Sequence, residues 1–140
     1  MGTGGTPGPG RSIAAVAAGI VLVALLGRVL LQTLVNAAAG EPIADMAAWV
    51  AVRDRTPVLV GWLVSHVAAT FFAGYMTARI ARYAEIQHAA IAGVLQTLIL
   101  VGGFSGLEAA AMPPFWIRAA IVVATIPAMV AGAAVRARAR

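Results

Sequence analysis

Cysteine is absent from the 140 residues, which excludes disulfides, thiolate metal sites and cysteine nucleophiles. Lysine is absent too, since all ten basic residues are arginine. Either residue serves membrane topology, so this choice reads as genome base composition rather than function. Charge of any kind is scarce, at 11% of the chain against 61% hydrophobic residues. A soluble domain needs far more charge to cover its surface, so this composition predicts lipid as the main solvent. The net charge of +5 does not point to nucleic acid, because the arginines sit at the ends of apolar runs and form no basic face.

Residues 1–10 are glycine, threonine and proline after the initiator, which cannot bury apolar area. They predict a flexible tail over 1–11, followed by a transmembrane domain over 12–140. Arg11 before an apolar run and an Ala-x-Ala site at Ala37-Ala38-Ala39 are features of a secretory signal. The run from Ile13 to Asn36 is too long for a signal core and contains Arg28, so it reads as a membrane span.

Further apolar runs extend over Pro57–Ala78, Ala89–Gly106 and Phe115–Val135. Each of the four is close to the ~20 residues that a helix needs to cross ~30 Å of hydrocarbon. Helices are predicted because every spanning backbone must satisfy its own hydrogen bonds. Pro57 suits a first helical turn, Pro113-Pro114 separates the last two spans, and Pro127 is expected to kink the fourth. The expected fold is all-α, an antiparallel bundle of four transmembrane helices.

Arg11, Arg79, Arg82, Arg136, Arg138 and Arg140 fall on one side of this arrangement, with Glu85. Arg53, Arg55 and Arg118 fall on the other, beside Glu41, Asp45, Asp54 and Glu108. The positive-inside bias predicts a bacterial inner-membrane protein with both termini cytoplasmic. In the first outer connection, Glu41-Pro42 can start a helix. Ile43, Met46, Ala47 and Val50 then recur at helical spacing with Trp49 beside them. A short amphipathic helix in the outer interface is the expected result. Leu31-Gln32-Thr33-Leu34 recurs as Leu95-Gln96-Thr97-Leu98, too short a match to establish duplication in so apolar a chain.

Lipid is as apolar as leucine, so helix association requires close packing and interhelical hydrogen bonds. Small residues recur at i, i+4 as Ala120, Ala124, Ala128 and Gly132 in the fourth span. The second span has two such rows: Ala69, Ala73 and Thr77, then Thr70, Gly74 and Ala78. Ala15 with Gly19 and Gly102 with Gly106 extend the pattern to the first and third spans. Five polar residues interrupt the spans: Arg28, His66, Gln96, Thr97 and Thr125. At 1.5 Å per residue, Arg28 lies roughly 12 Å inside the outer end of its span, and His66, Thr97 and Thr125 lie ~13 Å inside theirs. They define a candidate polar layer, either an ion or substrate site or simple interhelical bonding. Glu108 is the expected ion-pair partner of Arg28. No acid lies deep in any span, so a carboxylate-based carrier lacks its central part.

Catalytic and metal patterns are incomplete. Ser65 and His66 are adjacent on a helix and point apart, Ser105 has no nearby base, and His66 and His88 share no ligand spacing. Gly102-Gly103 and Gly106 precede no lysine, so they form no phosphate loop.

The segment Ala73-Gly74-Tyr75-Met76-Thr77-Ala78-Arg79-Ile80-Ala81-Arg82 resembles a widespread group of small uncharacterised bacterial four-helix integral membrane proteins. So do Met112-Pro113-Pro114-Phe115-Trp116 and the stretch from Pro127 to Gly132, although a histidine common in the group's proline-rich segment is missing. The resemblance spans residues 13–135 and implies topology alone. Small multidrug exporters also have four helices, but place an acid in the first, where this chain has Arg28. Fluoride channels resemble Gly102-Gly103-Phe104-Ser105-Gly106 but carry a following Thr-Thr-Phe-Ser element that is missing here.

The expectation is a non-enzymatic membrane protein without a cofactor. Its partners are the bilayer and other membrane proteins or copies of itself, and it acts as an accessory or structural component through helix–helix contacts. The alternative is a small homo-oligomeric channel or transporter using the polar layer. An outer cavity reaching Arg28 and His66 favours transport. A dry bundle with an exposed small-residue seam favours the accessory role.

Overall fold

The structure, a computed structural model, describes residues 8–108 and 111–139. These form five helices: α1 (Pro9–Ala39), α2 (Met46–Arg53), α3 (Thr56–Ala81), α4 (Glu85–Ser105) and α5 (Phe115–Arg138). All but α2 are long and apolar enough to cross a membrane. They pack against one another as the expected all-α bundle, with α3 against both α1 and α5 and α4 against all three. The termini end gathers the start of α1, the α3–α4 turn and the end of α5. The loop end holds α2 and the α4–α5 connection.

The bundle is apolar outside and partly polar inside. Leu25, Val29, Val64, Leu98 and Val123 are exposed, whereas Thr70, Thr77 and Thr125 have no exposure and His66 and Gln96 are buried. A water-soluble bundle would reverse this distribution. In lipid it is favourable, because polar side chains find partners only by facing other helices.

Helix ends follow local chemistry. Pro9 sits in the first turn of α1, where its missing N–H removes no bond, so the helix begins inside the stretch expected to be flexible. The Arg11 Nε–H donates to the Ile80 carbonyl at 2.8 Å, and Ser12 bonds the Tyr83 hydroxyl. These contacts hold the three-residue α3–α4 turn, in which Arg82 (φ 61°) and Ala84 (φ 42°) take left-handed conformations unusual for residues with a Cβ. The rest of the expected tail, residues 1–7, lies outside the described residues, as does Arg140. At the other end of α1, Gly40 (φ 81°) donates its N–H to the Asn36 carbonyl, an ordinary glycine termination.

The expected interfacial helix is present as α2, but it starts at Met46 rather than at Glu41-Pro42. Asp45 sets the start, its carboxylate accepting from the Ala48 N–H at 2.7 Å. Its inward face also differs. Val52 and Arg53 are buried and Trp49 is half-buried, while Met46 and Ala47 are exposed. α5 runs unbroken through Pro127.

α3 and α5 approach each other closely. A Cβ at Gly74 would fall on the Met129 carbonyl oxygen, and one at Gly132 on the Phe71 carbonyl oxygen. The two backbones therefore touch at both crossing points, one glycine from each helix. Both small-residue rows of α3 are buried, as are Ala15 and Gly19 of α1. A Cβ at Gly19 would meet Thr77. In α5 the row lies one position round from expectation. Ile117, Ile121, Thr125, Met129 and Ala133 are buried with Ala128 and Gly132, while Ala120 and Ala124 are half-buried. The α4 pair does not pack within the bundle: Gly102 and Gly106 are exposed, and nothing lies within 4 Å of a Cβ at Gly102.

Candidate functional site, a cleft at the loop end

The five intramembrane polar residues do not converge on one site. One contact between side chains, His66 to Thr125, joins α3 to α5, and a neighbour within each helix supports it. The Thr125 hydroxyl donates to the Ile121 carbonyl at 2.7 Å, leaving its oxygen to accept from the Nε2–H of His66 at 3.0 Å. Thr70 Oγ1 stands 3.4 Å from the same nitrogen. This buried group is satisfied by its own members and works as an interhelical bond. Thr97 is also satisfied locally, donating to the Gly93 carbonyl at 2.8 Å.

Arg28 and Gln96 occupy the opposite side of the bundle, where a cleft of about 860 Å³ opens between α1 and α4 at the loop end. Ala24, Arg28, Leu31 and Gln32 of α1 form one wall, and Gln96, Ile99, Leu100 and Phe104 of α4 the other. Trp62 of α3 contributes to the lining, and α2 adds Trp49 and Arg53. The exposed glycines at the end of α4 leave this wall thin, since Gly103 and Gly106 line it without side chains. The two glutamines of the short sequence repeat, Gln32 and Gln96, both reach the cleft.

The cleft is blind. Its lining extends no deeper than Ala24 on α1 and Gln96 on α4. Beyond that level Gly19 lies against Thr77 and close to Ala92, and Ala15, Ala89 and Ala92 have no exposure.

The expected Arg28–Glu108 pair is not formed. Both residues line the cleft and are exposed, but no ion pair joins them. Glu108 belongs to the connection after α4, whereas Arg28 sits eleven residues before the end of α1. Arg28 makes no hydrogen bond or ion pair with any described residue.

Arg53, read in the sequence only as a topology charge, is instead a buried residue of the cleft. Its Nε–H donates to Asp54 at 2.7 Å and its Nη1 to the Ala111 carbonyl at 2.9 Å, tying α2 to the α4–α5 connection. Its guanidinium lies 5.5 Å from the centre of the Trp49 ring, a cation–π contact that the i, i+4 spacing of Trp49 and Arg53 could have signalled. Arg53 Nη2, Trp49 Nε1 and Gln96 Oε1 are buried and have no partner among the described residues.

This arrangement offers guanidinium and indole donors beside apolar walls, which suits binding. No three His, Asp or Glu side chains among the described residues group closely enough to hold a metal ion. The Ser105 hydroxyl is occupied by the Val101 carbonyl at 2.8 Å. The chain matches no protein-family model, no curated protein and no solved structure.

Proposed function

We propose that this chain is a non-enzymatic accessory protein of the bacterial cytoplasmic membrane, with both termini cytoplasmic, that works by holding a membrane component in the α1–α4 cleft. Membership of the group of small four-helix bacterial membrane proteins is part of the same reading. The cleft carries it: its lining ends at Ala24 and Gln96 against close-packed helices, which suits binding better than passage across the bilayer. The expected route to partners through a small-residue seam has less support, because Gly74, Ala128 and Gly132 are used within the chain.

A second reading, a transporter, is favoured by one observation. Arg28 stands in the cleft without a partner among the described residues, and intramembrane arginines often mark anion paths. Anion flux into liposomes containing the wild-type or Arg28→Lys protein separates the two readings. The accessory reading expects no flux with either protein and normal folding of the variant. Flux with the wild type that is lost in a folded Arg28→Lys protein would establish the transporter, since lysine cannot reproduce a two-pronged guanidinium grip.

A further inference from the structure

The cleft joins two features that usually occur apart in a membrane protein. One is an apolar trough lined by Leu31, Ile99, Leu100 and Trp62. The other is a set of polar atoms turned away from solvent and unmatched among the described residues. Gln96 and Arg53 are 3% and 4% exposed, yet Gln96 Oε1 and Arg53 Nη2 have no partner among the described residues. Buried donors and acceptors are normally paired, because an unmatched one loses its hydration without compensation. Arg28 adds a full charge on the wall of the same cleft, part-way along a membrane-spanning helix.

The acids lining the cleft, Asp45 and Glu108, and Asp54 beside Arg53 do not meet these needs. Asp45 caps α2 through the Ala48 N–H, Asp54 takes only the Nε of Arg53, and Glu108 is exposed on the connection after α4. A guanidinium on an apolar wall, a second with a free N–H and an indole N–H call for oxygen acceptors bearing negative charge. The apolar trough calls for hydrocarbon in the same molecule. The volume, about 860 Å³, lies within the ~300–1,000 Å³ of small-molecule sites, large enough for a headgroup and part of its chains.

We propose that the cleft binds one anionic glycerophospholipid, its phosphate held by Arg28 and Arg53 and its acyl chains lying along α1 and α4. The inference rests on reading the cleft as a binding site, and the two fail by different results. Flux through the protein would end that reading, whereas loss of lipid preference would end only this one.

Tryptophan fluorescence provides the test. Trp49 and Trp62 line the cleft and Trp116 does not, so a Trp116→Phe protein reports mainly from the site. It is placed in phosphatidylcholine nanodiscs with increasing fractions of phosphatidylglycerol carrying brominated chains, or of phosphatidylcholine carrying the same chains. The expected result is saturable quenching that favours phosphatidylglycerol about fivefold, the effect of Arg28 alone, because Asp54 already offsets the charge of Arg53. Arg28→Gln should reduce the preference to about one without changing the melting temperature. Equal quenching by the two lipids would overturn the proposal, and this arm does not depend on any Arg28 variant folding. Preference that survives in a folded Arg28→Gln protein would also overturn it. Inorganic phosphate at millimolar concentration should leave the preference intact, and its abolition would instead identify a free-anion site.

Discussion

At Gly74 a hydrogen atom occupies the space where any other residue would place a carbon on the Met129 carbonyl. Gly74→Ala should therefore force α3 and α5 apart and destabilise the protein by on the order of 1–3 kcal/mol. Gly102→Ala, where nothing lies within 4 Å, should change stability by no more than about 1 kcal/mol, in the stabilising direction that helix propensity favours. Thermal unfolding in detergent measures both, and equal shifts would show that the backbone contact does not hold the helices together. Gly74 and Thr70 were legible in the sequence because small residues repeating every four positions in a span signal close approach. His66 and Thr125 were legible as polar interruptions, but not as each other's partners. Their meeting depends on how α3 and α5 are rotated, which no single-chain pattern encodes. Arg53 was missed because an arginine at a helix end resembles a topology charge until its neighbours are known.

At the scale of an element, α5 shows why a lipid-soluble helix hides its inward face. In a soluble helix large apolar residues mark the core, but here Ile117 and Ile121 are buried and Val123 is exposed, all equally compatible with lipid. Only small residues discriminate, and they located the row to within one position, at Ala128 and Gly132. Ala128→Leu should disrupt the contact with α3 at a cost of ~1–3 kcal/mol. Ala124→Leu, half-buried at its edge, should cost less, and Val123→Leu should be nearly silent. Denaturant titration in mixed micelles gives this order directly. An Ala124→Leu penalty equal to that of Ala128→Leu would move the packing row back to its sequence-based position. The helix starts were harder to read than the spans. α2 begins where the Asp45 carboxylate captures an N–H, and an earlier glutamate and proline offered an equally plausible start.

For the whole molecule, charge separates along the bundle axis. The termini end carries five described arginines (Arg11, Arg79, Arg82, Arg136 and Arg138) against Glu85, while the loop end carries three arginines against four acids. With both termini cytoplasmic, as proposed from the positive-inside tendency, the cleft would lie on the outer side. Because the native chain has no cysteine, introduced thiols can be read without background. Gly8→Cys and Ala139→Cys should resist an impermeant thiol reagent in intact cells, while Ala44→Cys should react. The opposite labelling would turn the cleft to the cytoplasm. Four spans and their alternating direction were legible because hydropathy and arginine placement act over long segments. The cleft was not, since it arises from two helices failing to meet at one end, and each reads from its own sequence as an ordinary span.

The long helices also differ in length, with 31 residues in α1 and 21 in α4. At 1.5 Å per residue the difference is about 15 Å, roughly half the thickness of a hydrocarbon slab. Two such rods cannot both stand upright with their ends at the same two surfaces. Hydrophobic mismatch makes a long rod lean more as the slab thins. α1 walls the cleft from Ala24 to Gln32, in its loop-end half, so its lean bears on the gap to α4. The host bilayer thus becomes a mechanical input to the protein: its thickness acts on the mouth of the cleft through the tilt of one overlong helix.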